Sequence, residues 1–131
     1  MAAQDGGVYQ QALAELTAGG KRSHWMWFVF PQIAGLGRSE TARFYALTDL
    51  EEAGRYLAHP LLGARLQQST EALLSWAGRR SAETILGPID TVKFRSSMTL
   101  FEAASPAPAT FEQALEAFFG GECDAATLAR L

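Results

Sequence analysis

KRSHWMWFVFPQ, residues 21–32, holds the densest aromatic block of the chain. Trp25 to Phe30 sets two tryptophans, two phenylalanines, a methionine and a valine side by side. Fully burying one such side chain stabilises a fold by roughly 1.5–3 kcal/mol, so no other six residues of the chain can contribute as much to a core. Periodicity cannot separate helix from strand here, because every position is apolar. The aromatics favour a strand, but a strand needs a partner and no second strand-like run occurs. The block therefore reads as a short buried helix, ended near Phe30 by Pro31, with Ser23 as the residue that caps it.

Before the block, Tyr9, Ala12, Leu13 and Leu16 recur at helical spacing within Val8 to Ala18, and Gly19-Gly20 supplies the stop. After the block, Ile33 to Arg38 reads as a glycine-punctuated loop, and Ser39 with Glu40 opens a helix to about Ala46. Thr48 and Glu51 form a capping-box pattern for a helix to about Ala58. His59-Pro60 breaks it, and Pro60 suits the first position of the next helix, whose face carries Leu62, Leu66, Leu73 and Ala77 up to Gly78. Ser81 to Leu86 reads as a turn of helix closed by Gly87-Pro88. Asp90 then caps a helix from Thr91 to about Ala104. Thr110 with Gln113 is a second capping box, before a helix buried through Phe111, Leu115, Phe118 and Phe119 and stopped by Gly120-Gly121. Asp124 caps a final helix ending at Leu131. The expectation is all-α: one compact domain, residues 1–131, of about seven to nine short helices.

Composition narrows the function classes. The chain has 131 residues, 48% hydrophobic and 19% charged, as an ordinary globular domain has. Eleven basic against 14 acidic residues give a net charge of −3, which argues against a general nucleic-acid binder. The longest apolar run is far short of the ~20 residues a membrane span needs, and the first residues lack the basic and apolar regions of a signal peptide. With Cys123 as the sole cysteine no intramolecular disulfide exists. A cytoplasmic location follows from these features together.

Three segments combine polar groups beyond what a core requires. Lys21, Arg22, Ser23 and His24 stand at the start of the aromatic helix, where unpaired amides and basic groups favour an anion; a solvated basic turn is the plainer alternative. In DTVKFRSSMTLF, residues 90–101, Phe94, Met98 and Phe101 share a core face. Ser96 and Ser97 beside Lys93 and Arg95 fit either close helix packing or a hydroxyl-and-guanidinium anion site. Gly35 to Ser39 has the outline of a phosphate loop without the full glycine pattern, and reads better as a plain turn. No metal-ligand spacing occurs, and no cofactor is implied. Cys123, flanked by Glu122 and Asp124, is expected to have a raised pKa and no nucleophilic role.

The blocks KRSHWMWFVFPQIAGLG, YLAHPLLGARL, KFRSSMTLF and FFGGECDAATL resemble a bacterial and fungal domain-of-unknown-function family, numbered eighteen-ten, whose members are often labelled calpastatin. The resemblance runs from about Val8 to Leu131. It implies a compact, mainly helical fold and brings no established activity. The calpastatin label does not suit a composition of this kind, since an inhibitor of that type is a disordered repeat chain. Family members usually carry a further apolar lead-in, so a truncated first helix is expected here.

Two functions compete. In the first, the two signature blocks meet in a pocket for a phosphorylated, nucleotide-like or ADP-ribose-like small molecule. His24 acts there as acid/base or donor, and Trp25 or Trp27 stacks on a planar group. Lys93, Arg95, Ser96 and Ser97 hold the anion, with Lys21, Ser23 and Gln32 completing the set. In the second, the domain is a non-catalytic interaction or structural module whose tryptophans are core.

Overall fold

The computed structural model describes residues 7–36 and 40–131. In chain order these form α1 (Val8–Ala18), α2 (Met26–Val29), α3 (Glu40–Tyr45), α4 (Leu50–Ala58), α5 (Leu62–Leu74), α6 (Ala82–Leu86), α7 (Pro88–Ala104), α8 (Ala109–Phe119) and α9 (Ala125–Leu128). The fold is all-α. Among the described residues the only β pairing is an isolated parallel bridge between Ile33 and Leu47. Gly37, Arg38 and Ser39, which carried part of the phosphate-loop reading and a helix start, lie outside the described residues.

Helix α7 is the spine. Phe94, Met98, Leu100 and Phe101 are all buried, and the helix packs on α4, α6, α8 and α9 while α5 packs on α1, α4 and α8. The aromatic block forms α2, wedged against both α5 and α7. Its rings enter a chain of contacts: Phe30 meets Trp25 at 6.3 Å and Phe94 edge-on at 5.0 Å. Phe94 continues to Phe118 and Phe119, both at 6.1 Å. Aromatic pairs of this kind add about 0.5–1.5 kcal/mol each beyond area burial.

Two glycines let helices close up. A Cβ on Gly63 would stand 2.1 Å from the Leu57 carbonyl oxygen, so α5 can start this near α4 only with glycine there. Gly19 ends α1 at φ +77°, and its missing side chain admits the edge of Trp76, which a Cβ would meet at 2.7 Å.

Before α2 the backbone turns around one carboxylate. Glu15, buried on α1, accepts at Oε1 from the amides of Arg22 (2.7 Å) and Ser23 (3.0 Å) and from the Trp25 indole N–H (2.9 Å). At Oε2 it accepts from the Ser23 hydroxyl at 2.6 Å. Burial works to raise its pKa, but these four donors outweigh burial and hold it at about 2, against an ordinary 4.5.

Several expected helix ends are corrected. Ser23 does not cap α2, because its hydroxyl is spent on Glu15. The cap of α4 is Asp49, with Glu52 three residues on, one residue later than the expected Thr48 with Glu51. Asp49 takes the extended conformation and accepts from the Glu52 amide, and the Glu52 carboxylate accepts from the amide of Thr48, the residue before the cap. At α5 neither Pro60 nor a hydroxyl starts the helix. His59 Nδ1 accepts from the amides of Leu61 and Leu62 at 3.2 and 3.1 Å. That helix stops at Leu74, leaving Ala77 exposed in the following turns. Asp90 does not cap α7, which begins at Pro88 after Gly87; its carboxylate turns to two lysines instead. Thr110 accepts from the Gln67 side chain at 2.6 Å, tying α8 to α5, and α8 begins after Pro108. Asp124 caps α9 as expected, and Ser81, the first residue of the expected turn of helix, caps α6.

Two stability predictions follow from these contacts. Glu15→Gln is expected to cost about 2–3 kcal/mol, since bonds to a charged, buried acceptor are among the stronger ones. The folded pKa lies below the unfolded one, so the carboxylate's contribution is complete above about pH 5 and fades as pH falls toward 2. Urea unfolding at about pH 6 and pH 3 should therefore show the gap between the two proteins narrowing in acid; a constant gap would contradict the assignment. His59→Ala should lower stability by about 1 kcal/mol, as loss of a helix cap does, while His59→Asn, which keeps an acceptor, should recover most of it.

Candidate functional site

The Glu15 hub fixes where the basic block points. With the Trp25 indole N–H held by Glu15, the Lys21 ammonium lies over the Trp25 ring at 5.1 Å, and the Lys21 amide is bound by the Ile85 carbonyl of α6 at 2.7 Å. The Lys21 ammonium then reaches Asp90 Oδ2, on the first turn of α7, at 2.8 Å. Lys93, one turn further along α7, approaches Asp90 Oδ1 at 3.5 Å and sits over the Trp27 ring at 4.4 Å. The two signature segments thus meet at a Lys21–Asp90–Lys93 cluster walled by two indoles. Its side chains are largely withdrawn from water, with 9%, 18% and 22% exposure for Lys21, Asp90 and Lys93. Two ammonium groups share one carboxylate, so the cluster carries a net positive charge.

The other expected site residues divide among three places. Ser23 and Trp25 belong to the Glu15 hub, and Trp25 is buried. His24 is exposed, and Trp27 is half-buried. Gln32 is half-buried and its carbonyl accepts from the Leu47 amide at 2.8 Å, next to the Ile33–Leu47 bridge. Arg95 turns the other way around α7. It donates to the Glu122 and Cys123 carbonyls, pairs with the Glu122 carboxylate at 3.1 Å, and lies over Phe119. Ser96 donates to the Val92 carbonyl or to Asp124 Oδ2, both 3.1 Å away, at the start of α9. Ser97 is buried, and its hydroxyl has no partner among the described residues. The structure therefore brings Lys21, Trp25, Trp27 and Lys93 together, whereas Arg95 and Ser96 lock α9 onto α7.

Burial, reinforced by the neighbouring Glu102 carboxylate, pushes the Cys123 thiol above its ordinary pKa, a setting that disfavours the thiolate a nucleophile needs. Sequence reasoning missed Glu15 and the pairing role of Asp90. Glu15 was findable, since it lies three residues after Ala12 and next to Leu16, beside the buried face of its helix. No group of three or more metal-ligating side chains gathers among the described residues, and none of the described helices is long and apolar enough to cross a membrane.

Comparison with known proteins agrees with this architecture. The crystal structure of the conserved hypothetical protein Rv1873 from Mycobacterium tuberculosis is 48% identical to the chain, with a TM-score of 0.95, over 99% of this chain and 91% of that one. No curated protein matches the chain. A family model described as "protein of unknown function (DUF1810)" matches residues 1–131, and the chain belongs to that family.

Proposed function

We propose that the protein is a cytoplasmic small-molecule-binding domain that takes an anionic, nucleotide-like or ADP-ribose-like ligand where the two signature segments meet. The observation that carries this reading is the Lys21–Asp90–Lys93 cluster: two ammonium groups on one carboxylate, each resting on an indole. A phosphate approaching Lys93 from solvent would find a cation already positioned, and the half-exposed Trp27 ring offers a stacking surface for a planar base. His24, exposed and next to Trp25 in the chain, would supply a hydrogen-bond donor or an acid/base group to the same ligand. Ser23, Trp25, Arg95 and Ser96 spend their donors inside the protein, and in this reading they hold the frame. The net charge of −3 supports a small anion as partner over a nucleic acid.

A second reading, a protein-interaction module, is favoured by Ile89 and Val92. They stand one turn apart on α7 beside Lys93 and are 73% and 60% exposed. Isolated exposed aliphatics are common on soluble proteins, so this pair weighs less than the charged cluster.

Thermal shift and calorimetry with AMP, ADP and ADP-ribose separate the two. Saturable stabilisation is expected, weakened about tenfold by Lys93→Ala through loss of one charge-assisted contact. Silence across the series would overturn the small-molecule reading in favour of the interaction module, and equal binding by the Lys93→Ala protein would overturn the assignment of the ligand to the signature cluster.

A further inference from the structure

A second group of cations lies on elements that the signature cluster does not use. Arg79 and Arg80, in the turns after α5, both rest on the Trp76 ring, their guanidinium carbons 4.5 and 4.6 Å from its centroid. The ring itself is fixed, because its indole N–H donates to the Leu16 carbonyl at 3.0 Å. Each arginine is also tethered by one backbone bond, Arg80 Nη1 to the Gly19 carbonyl and Arg79 Nη2 to the Ser75 carbonyl. A guanidinium has five N–H donors, so these bonds leave most of the donor capacity free. Among the described residues no carboxylate forms an ion pair with either arginine; the ion pairs there belong to Lys21, Lys93, Arg55 and Arg95.

Two like charges held on one ring repel each other. Surface arginines usually relieve such repulsion by swinging apart into water, and these two are pinned by stacking and by carbonyls. They also face space a ligand can fill. An open cleft of about 330 Å³ is lined by Arg79, Arg80, Ser81 and Phe118. It shares Ser81 and Phe118 with a neighbouring cleft of about 500 Å³, which adds Glu83, Thr84, Thr91 and Phe119. Clefts of about 300–1,000 Å³ are the size of ordinary small-molecule sites.

The geometry points to a second, separate binding site along this double cleft, for a phosphomonoester carried on a hydroxylated ring. The phosphate is received by the Arg79–Arg80 pair, whose forked donors match phosphate oxygens. The ring lies against Phe118 and Phe119, and its hydroxyls bond Ser81, Thr84 and the Glu83 carboxylate. Glu83 sets the selectivity: it accepts from a hydroxyl and repels a second phosphate. One phosphate at one end is therefore favoured over a bisphosphate. Because the arginines are already immobilised, little side-chain freedom is lost on binding. Phosphorylated sugars and nucleoside monophosphates share this chemistry.

The test is NMR titration of the wild-type protein with ribose 5-phosphate, AMP and inorganic phosphate, reading the Trp76 and Trp27 indole N–H signals separately. Saturable movement of the Trp76 signal is expected, with ribose 5-phosphate and AMP binding more tightly than inorganic phosphate, which competes with them. Arg79→Ala, which leaves the Arg80 tether to Gly19 intact, should weaken binding about tenfold, and Lys93→Ala should leave the Trp76 response unchanged. Ribose 1,5-bisphosphate should bind less well than ribose 5-phosphate, and Glu83→Gln should remove that difference. No movement of the Trp76 signal at about 10 mM ligand, or an undiminished response in Arg79→Ala, would overturn the site. Movement of Trp27 alone, abolished by Lys93→Ala, would also overturn it while supporting the signature cluster.

Discussion

The Glu15 carboxylate is the constraint from which the rest of the site geometry descends. A buried carboxylate without partners is strongly unfavourable. This one is satisfied by two backbone amides, a hydroxyl and an indole N–H drawn from Arg22, Ser23 and Trp25. Those donors exist in the right place only if the chain turns sharply after Gly19-Gly20 and enters α2 with Trp25 facing α1. Once it does, Lys21 is carried over the Trp25 ring and onto Asp90, and α2 inserts Phe30 against Phe94. A single charged side chain on the first helix thereby couples the aromatic block to the spine of the fold.

Much of this architecture is legible in the residues. The aromatic block reads as a short helix because it lacks a strand partner, and Pro31 limits its length. The apolar spacing of Phe94, Met98 and Phe101 fixes which face of α7 is core. Glycines mark the ends of α1 and α8, and Ser81 and Asp124 mark the starts of α6 and α9, since local chemistry alone decides those positions. Caps that depend on tertiary neighbours are not legible. Thr110 looks like a cap until Gln67 of another helix claims its hydroxyl. His59 is missed for a different reason: its cap is local, but histidine is not among the usual capping residues, and its ring nitrogen still supplies the acceptor that starts α5.

The same limit applies to the site. Lys93, Arg95, Ser96 and Ser97 are neighbours in the chain, but they point around a helix into different surroundings. Lys93 faces α2, Arg95 and Ser96 face α9, and Ser97 is enclosed. Which distant acid each cation finds is decided by packing, because Asp90, Glu122 and Asp124 are equally plausible partners in the linear text. The arginines of the turn after α5 were invisible for a related reason: only the folded chain shows Trp76 holding both guanidinium groups beside an open cleft.

The most direct test of the central claim is the titration of Glu15 itself, followed by the carbon resonance of its side-chain carboxyl in labelled protein, with the Trp25 indole proton as a second reporter. A midpoint near 2, with the indole signal moving in step, is the result required by a carboxylate caged by four donors. A midpoint close to the ordinary 4.5, with the indole unmoved, would show that Glu15 faces water and that something else holds the aromatic helix in place.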